Sequence, residues 1–379
     1  MKSKLLNKKY LVGPILIELE GSGELFKLID KEFKVCEKSN QKELADLKIK
    51  ILNPEQKISF DPKYYSLSGN IAFDNNSFLK VEKGYSYLVK NLFDFSSNTE
   101  VTISYSEKQN MVSLLKNILL SLPTGFSNKG IQIKNSIMSY TLFWYLFHIV
   151  LLKKNSTFIH SSITDKNSKG IVIAGTGGCG KTSTTFKLLE NDTFKYLSED
   201  FGIITIEGKA HYNPKFTSIY SSDVRYGQKH LVKYVDEKMS KSDKVLWNSY
   251  KTLGGNPIRK IAPVDLLGEE KLKDETLIEQ VYFFARSNND EIHIEEITND
   301  ELADRAVNAS FRELNFLFEL LANVHAVGYM DTQFPNLSEI KEKTKAIYKE
   351  AFKNAQKKLV YVPLKSTPDK IINKLDLLN

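Results

Sequence analysis

Residues 170–189 leave this chain the least freedom. An apolar run, Gly170-Ile-Val-Ile-Ala174, passes directly into Gly175-Thr-Gly-Gly-Cys-Gly-Lys181-Thr182 and then into apolar periodicity that carries a helix to Leu189. A short apolar run bounded by glycine predicts a buried strand, and the spacing after it predicts a helix. The glycines Gly175, Gly177, Gly178 and Gly180 let backbone N–H groups converge without Cβ obstruction at a helix mouth, where anions are held. In the pattern G-x-x-x-x-G-K-[ST], Lys181 is placed to reach β- and γ-phosphates and Thr182 to ligate Mg²⁺. Thr176, Cys179 and Ser183 complete the predicted cradle, with Cys179 expected to be a small side chain turned away from the phosphates. The ligand this predicts is ATP with Mg²⁺, GTP being left open.

A phosphate loop needs a carboxylate to hold its metal, commonly at the end of a neighbouring strand. Glu199-Asp200, 18–19 residues after Lys181 and following the apolar stretch Phe194–Leu197, is the candidate pair. One carboxylate can hold Mg²⁺ while the other accepts a proton from an attacking hydroxyl. Asp200 is assigned with Thr182 to the metal, though the division between the two acids stays open. His160, 15 residues before the loop and at the end of the short strand expected at Thr157-Phe-Ile-His160, is placed beside the phosphates or the acceptor. Arg286, after the strand expected at Ile278–Phe284, is a candidate phosphate contact. The other histidines show no ligand spacing.

Composition narrows the partners. The chain has 379 residues and a net charge of +7, but only five of its 53 basic residues are arginine and the lysines are spread throughout. Nucleic-acid binding leans on clustered Arg and Lys, so a solvated surface is expected and no nucleic acid. Two cysteines, one of them inside the loop, make no disulfide framework and no zinc site, which fits a reducing cytoplasm. The N-terminus lacks the apolar core of a signal peptide. Ile137–Leu152 is strongly apolar but falls short of the roughly 20 residues that span a bilayer, so it predicts a buried helix and no membrane.

Such a length suggests two domains. Residues 1–130 read as a smaller mixed α+β domain for recognition or scaffolding, with strands in YLVGPILIELEG, LKIKIL, LSGNIAFD and TEVTISYS and an undecided helix or strand in GYSYLVKNLFDF. Residues 131–379 read as an α/β domain around the phosphate loop. A polar turn is expected over Thr164–Ser168, loops and short helices over 211–260, helices near 299–324 and 336–357, a strand over 358–363 and a terminal helix started by Pro368.

The ordered set FIHSSI, GIVIAGTGGCGKTS and YLSEDFGII resembles the HPr kinase/phosphorylase-like group, whose phosphate-loop fold is related to phosphoenolpyruvate carboxykinase. The resemblance covers about residues 155–206 and extends loosely to 278–298. It implies an α/β nucleotide-binding core of that type, with His160, Lys181, Thr182, Glu199 and Asp200 on the family's functional positions. The first acid is Glu199 where the group usually has aspartate, 207–275 carries no substrate signature, and the motif of the reverse reaction is missing. A diverged ATP-dependent kinase is therefore expected. Its acceptor would be a hydroxyl on a protein, a peptide or a small molecule. Relatives often assemble, so a homo-oligomer is among the expectations.

The rival is an ATPase acting as a conformational or assembly switch. GTGGCGKT is near GKGGxGKT, but Thr176 stands where that signature has lysine, and the loop lies far from the N-terminus. A guanine-reading NKxD segment is missing; Ser127-Asn-Lys-Gly130 precedes the loop and lacks the acid.

Overall fold

The computed structural model describes residues 5–38, 43–53, 56–67, 70–82, 85–105, 143–224, 229–328 and 332–378. The expected boundary at 130/131 and the first part of the apolar stretch, 137–142, lie outside them. The protein is α/β with mixed sheets, and it divides into two compact units. Within the described residues, one unit takes 5–105, 143–157 and 311–344, and the other takes 158–310 and 345–378.

The first unit is built on eight strands: β1 (Leu6–Val12), β2 (Ile15–Gly21), β3 (Leu47–Ile51), β4 (Tyr64–Ser66), β5 (Ile71–Phe73), β6 (Ser77–Glu82), β7 (Tyr85–Lys90) and β8 (Thr99–Tyr105). Their order is β1-β2-β3-β8-β7-β6-β5-β4, with β2, β3 and β8 parallel and the other pairs antiparallel. Gly13, at φ 56, opens the two-residue β1–β2 turn, where a positive φ matches the twist of the strands. Of the undecided segment 84–95, Tyr85–Lys90 forms strand β7. Helix α1 (Gly23–Phe33) buries Leu25, Phe26, Ile29 and Phe33 along one face, the spacing of an amphipathic helix.

Helix α2 (Phe143–Lys153) is the described part of the long apolar stretch, and its residues from Tyr145 to Leu152 are buried all round. His148 fits there because its ring nitrogens lie 3.4 Å from the hydroxyls of Thr157 and Thr344, and burial pushes its pKa down to about 3. It is a neutral core histidine. Lys153 ends the helix by donating to the carbonyls of Asn91 and Ser97 and the Thr99 hydroxyl. No described helix is long and apolar enough to cross a membrane.

The second unit carries the glycine-rich segment 175–182. Its sheet uses β9 (Ser156–Ile159), β10 (Ser161–Lys166), β11 (Lys169–Gly175), β12 (Phe194–Ser198), β13 (Gly202–Thr205) and β14 (Lys209–His211). A small ribbon pairs β15 (Thr217–Tyr220) with β16 (Ile258–Ile261), and β17 (Glu275–Ser287), β18 (His293–Glu296) and β19 (Gln356–Pro363) complete the large sheet. The unit also holds α3 (Lys181–Leu188), α4 (Asn299–Glu313) as far as Ser310, α5 (Leu337–Ala351) from Lys345 on, and α6 (Pro368–Leu375), the last capped by the Thr367 side chain. Strand β11 pairs with β10 on one side and β17 on the other, and β17 pairs in parallel with β19.

One expectation is corrected. The polar stretch from Thr164 is not a turn but the end of strand β10; the turn is only Asn167-Ser168, both at positive φ. Among these buried polar residues, Asp165 is held by hydrogen bonds to its neighbours. Asp165 accepts from the Thr276 hydroxyl at 2.6 Å and from the Ser168 amide at 3.1 Å.

Strand directions decide what meets at one edge. Since β10 is antiparallel to both β11 and β12, those two end on the same side, the side where β10 begins. The ends of β17 and β19 lie there too. Gly175, Glu199-Asp200, His160, Arg286 and Pro363 thus gather along one edge of the sheet from five separate stretches of sequence.

Gly170 keeps β11 close to β17: a Cβ there would lie 2.7 Å from both the Leu277 carbonyl oxygen and Thr276 Cγ2. Gly170→Val should cost roughly 1–3 kcal/mol, seen as a lower urea midpoint at unchanged slope. A wild-type midpoint would mean that β17 yields to the extra methyls.

Candidate phosphate-loop site

Strand β11 is buried over most of its length and delivers Gly175 to the loop at φ 143. No side chain with a Cβ fits at Gly175, because that atom would lie 2.4 Å from the Phe284 carbonyl oxygen. Gly178 and Gly180 also hold positive φ, at 74 and 100. Gly177 and Gly178 have open space where a Cβ would stand. The loop therefore hugs β17 at its start and leaves a free face at its tip. Gly180 is the N-cap of α3 and no side chain caps the helix, so the orphan amides of its first turn face outward. Ser183 turns its hydroxyl back to the Gly180 carbonyl.

Lys181 is buried, and its ammonium bonds the carbonyls of Gly175 at 2.9 Å and Thr176 at 3.0 Å. It also lies 3.3 Å from His160 Nε2 and 3.9 Å from Cys179 Sγ. Cys179 is fully buried, as expected of a packing residue.

The two acids stand on opposite sides of one tight turn. The Phe201 amide donates to the Glu199 carbonyl at 3.0 Å across Asp200, whose φ is 76. A bond from residue i+2 with positive φ at the centre is the rare, strained γ-turn. Strain of this kind survives where surroundings overdetermine the geometry, and it concentrates at functional sites. Here the surroundings are Lys215, whose ammonium bonds Asp200 Oδ2, and His160, whose Nε2 lies 3.3 Å from Oδ1. Asn213 braces the turn by donating to the Phe201 carbonyl at 2.7 Å. On the other side, Thr182 donates its hydroxyl to Glu199 Oε1 at 2.7 Å.

Electrostatics separates the pair. Burial and the Asp200 charge push Glu199 up to about 7, against the opposing pull of Lys215, Thr182 and Lys181. For Asp200, burial works against the charge, but Lys215 and His160 outweigh it and hold the carboxyl well below the usual range. Adjacent carboxylates whose environments drive them apart suit different tasks. The Thr182 hydroxyl with the Glu199 carboxylate is a hard-oxygen pair of the kind Mg²⁺ uses, since that ion usually takes only one or two protein oxygens beside phosphates and water.

All the predicted residues are brought to this edge. His160 is not inside a strand but at the bend between β9 and β10. Its amide donates to Ser310 Oγ of α4, which lies 3.0 Å from the Tyr348 hydroxyl of α5; Tyr348 in turn bonds the Phe158 carbonyl. Its Nδ1 is buried and has no partner among the described residues. Arg286 bridges rather than dangles: its Nε donates to the Gly178 carbonyl and one terminal nitrogen to the Pro363 carbonyl, each at 2.7 Å. Thr182 bonds Glu199 and not Asp200.

Lys215 carries no signal in the sequence. It is one lysine among many, after Asn213-Pro214, and only its burial at 6% exposure, under Asp200 and 4.9 Å from the Phe201 ring centroid, sets it apart.

A carboxyl whose folded pKa lies above its unfolded value contributes stability that is complete below the unfolded value and is lost as pH rises through the folded one. For Glu199 that window runs from 4.5 to about 7. Glu199→Gln should therefore gain on the wild type between pH 5 and pH 8, by on the order of 1 kcal/mol, because a tenfold change in proton affinity is worth about 1.4 kcal/mol. Thermal unfolding of both proteins at the two pH values checks it; a constant difference would mean Glu199 titrates normally.

A scan of protein-family models finds none that matches the chain, and a search of curated proteins finds no match either.

Proposed function

We propose that this protein is a Mg²⁺-dependent phosphotransferase that moves the γ-phosphate of ATP or GTP to a hydroxyl on a protein, peptide or small molecule. The reading includes a phosphate-loop core of the HPr kinase/phosphoenolpyruvate carboxykinase type, as a diverged member. One observation carries it above all: the strained Glu199-Asp200 turn stands beside the phosphate loop with its two acids biased to different protonation. An ionised acid held between a histidine and a lysine supplies the proton acceptor that transfer to a hydroxyl uses.

The loop amides and α3 receive the phosphates. Lys181 exchanges its bonds to Gly175 and Thr176 for phosphate oxygens, staying within reach of His160. Thr182 and Glu199 would hold Mg²⁺, which neutralises charge on the transferring group. Asp200, kept anionic by Lys215 and His160, accepts the hydroxyl proton or orients that hydroxyl for in-line attack. Lys215 then faces a neutral Asp200 and stabilises the charge that has moved to phosphate.

These acid roles differ from the division expected of the sequence, which paired Asp200 with the metal; the Thr182–Glu199 hydrogen bond supports giving Glu199 that side. Transfer from γ-³²P-ATP or γ-³²P-GTP to a cell lysate, with Mg²⁺, tests the proposal. Lys181→Ala and Asp200→Asn should each lower labelling of a discrete product by roughly 10²-fold or more, in the range general-base removal gives. Release of free phosphate alone, lost in Lys181→Ala but kept in Asp200→Asn, would replace the kinase by the ATPase switch.

A further inference from the structure

A cavity of about 340 Å³ opens beside the phosphate loop and none of the catalytic groups lines it. Its walls are Asp290, Glu291 and Ile292 from the β17–β18 connection, Pro363, Lys365 and Ser366 after β19, and Lys370 and Lys374 of α6. The volume lies at the lower end of the range for small-molecule clefts. It sits at the carboxyl ends of parallel strands, the edge where open α/β sheets bind ligands.

Three features tie the cavity to the loop. Pro363 lines it and also accepts from Arg286, whose other bond reaches the Gly178 carbonyl. Helix α6 packs on the loop helix: Ile371 Cδ1 would lie 3.6 Å from a Cβ at Gly180, and Asp369 pairs with Lys187 at 3.6 Å. The buried face of α6, Ile371, Ile372 and Leu375, thereby turns Lys370 and Lys374 toward the cavity. Finally, β19 stands two strand spacings from β11, roughly 10 Å at about 4.8 Å each. Glu199 and Asp200 lie on the opposite side of the loop, beyond β10.

This layout orients a ligand. A triphosphate whose γ-end meets Glu199, Asp200 and His160 leaves the loop at its α-end toward β17 and β19. Asp290 and Glu291 repel phosphate and select hydrogen-bond donors. Ribose hydroxyls and base N–H groups are such donors. Lys370 and Lys374 offer the balancing positive charge toward the α-phosphate.

We propose that this cavity is the nucleoside subsite: the ribose and base of the bound nucleoside triphosphate lie against Asp290 and Glu291, with Arg286 marking the passage from the phosphate loop. The proposal rests on the phosphate-loop reading above and adds the part of the site that distinguishes a nucleotide from bare polyphosphate.

Titration calorimetry with Mg²⁺ compares ATP, GTP and inorganic tripolyphosphate on the wild type and on the double variant Asp290→Ala/Glu291→Ala, whose positions are exposed and outside the catalytic groups. At least one nucleotide should bind the wild type ten-fold or more tighter than tripolyphosphate. The double variant should lose that margin while keeping its tripolyphosphate affinity and its unfolding temperature. Equal affinities on the wild type, or a margin that survives in the variant, would overturn the nucleoside subsite and leave the phosphate loop standing. Failure of all three ligands to bind the wild type would bring down the phosphate-loop reading and the subsite together.

Discussion

The parallel pairing of β11 with β17 is the constraint on which the site depends. It demands that two backbones run closely side by side, and glycine at 170 and 175 meets that demand at both ends of the strand. Gly175 does more than permit contact. Its φ of 143 turns the chain out of the sheet against the Phe284 carbonyl, so the loop starts from a point fixed by β17. Arg286, two residues beyond Phe284, then reaches the Gly178 carbonyl. The flexible-looking glycine loop is anchored to one strand at both its root and its tip.

Placed on that frame, the acidic pair shows how charge is divided in a small space. Two neighbouring carboxylates cannot both ionise cheaply when partly removed from water, and the pair titrates together. The γ-turn points them apart, one to Thr182 and one to Lys215 and His160. The strain at Asp200 is on the order of 1–3 kcal/mol. A charge-assisted bond to a buried lysine is worth a similar amount, and His160 and the Asn213 bond to the Phe201 carbonyl brace the same turn.

The chain's periodicity announces the local elements well and their neighbours poorly. The strand before the loop, the helix after it and the acids after β12 all lie within a single stretch, where pattern and spacing speak directly. Strand β10 is hidden from such patterns because Ser161, Ser162, Thr164 and Asp165 are polar and buried, and of these Asp165 finds a tertiary partner in Thr276. Lys215 is hidden for the same reason: a buried lysine looks like any other until its carboxylate is found. The first unit gathers three stretches that lie far apart along the chain, which no local pattern could disclose.

The cations of the site are all occupied in the protein by itself. Lys181 bonds two loop carbonyls, Lys215 bonds Asp200 and Arg286 bonds Gly178 and Pro363. In the proposed phosphotransferase, an incoming triphosphate must therefore exchange with existing bonds, and its affinity is the difference between the two sets. Lys181 gives up neutral acceptors for anionic oxygens, which favours binding, because charge-assisted bonds are roughly twice as strong. Lys215 gains least, since Asp200 is already anionic. In the proposed transfer its charge becomes available only when Asp200 takes a proton, that is, as the acceptor hydroxyl loses one. An interaction that strengthens on the way to the transition state and not on binding is the kind that raises the rate rather than the ground-state affinity.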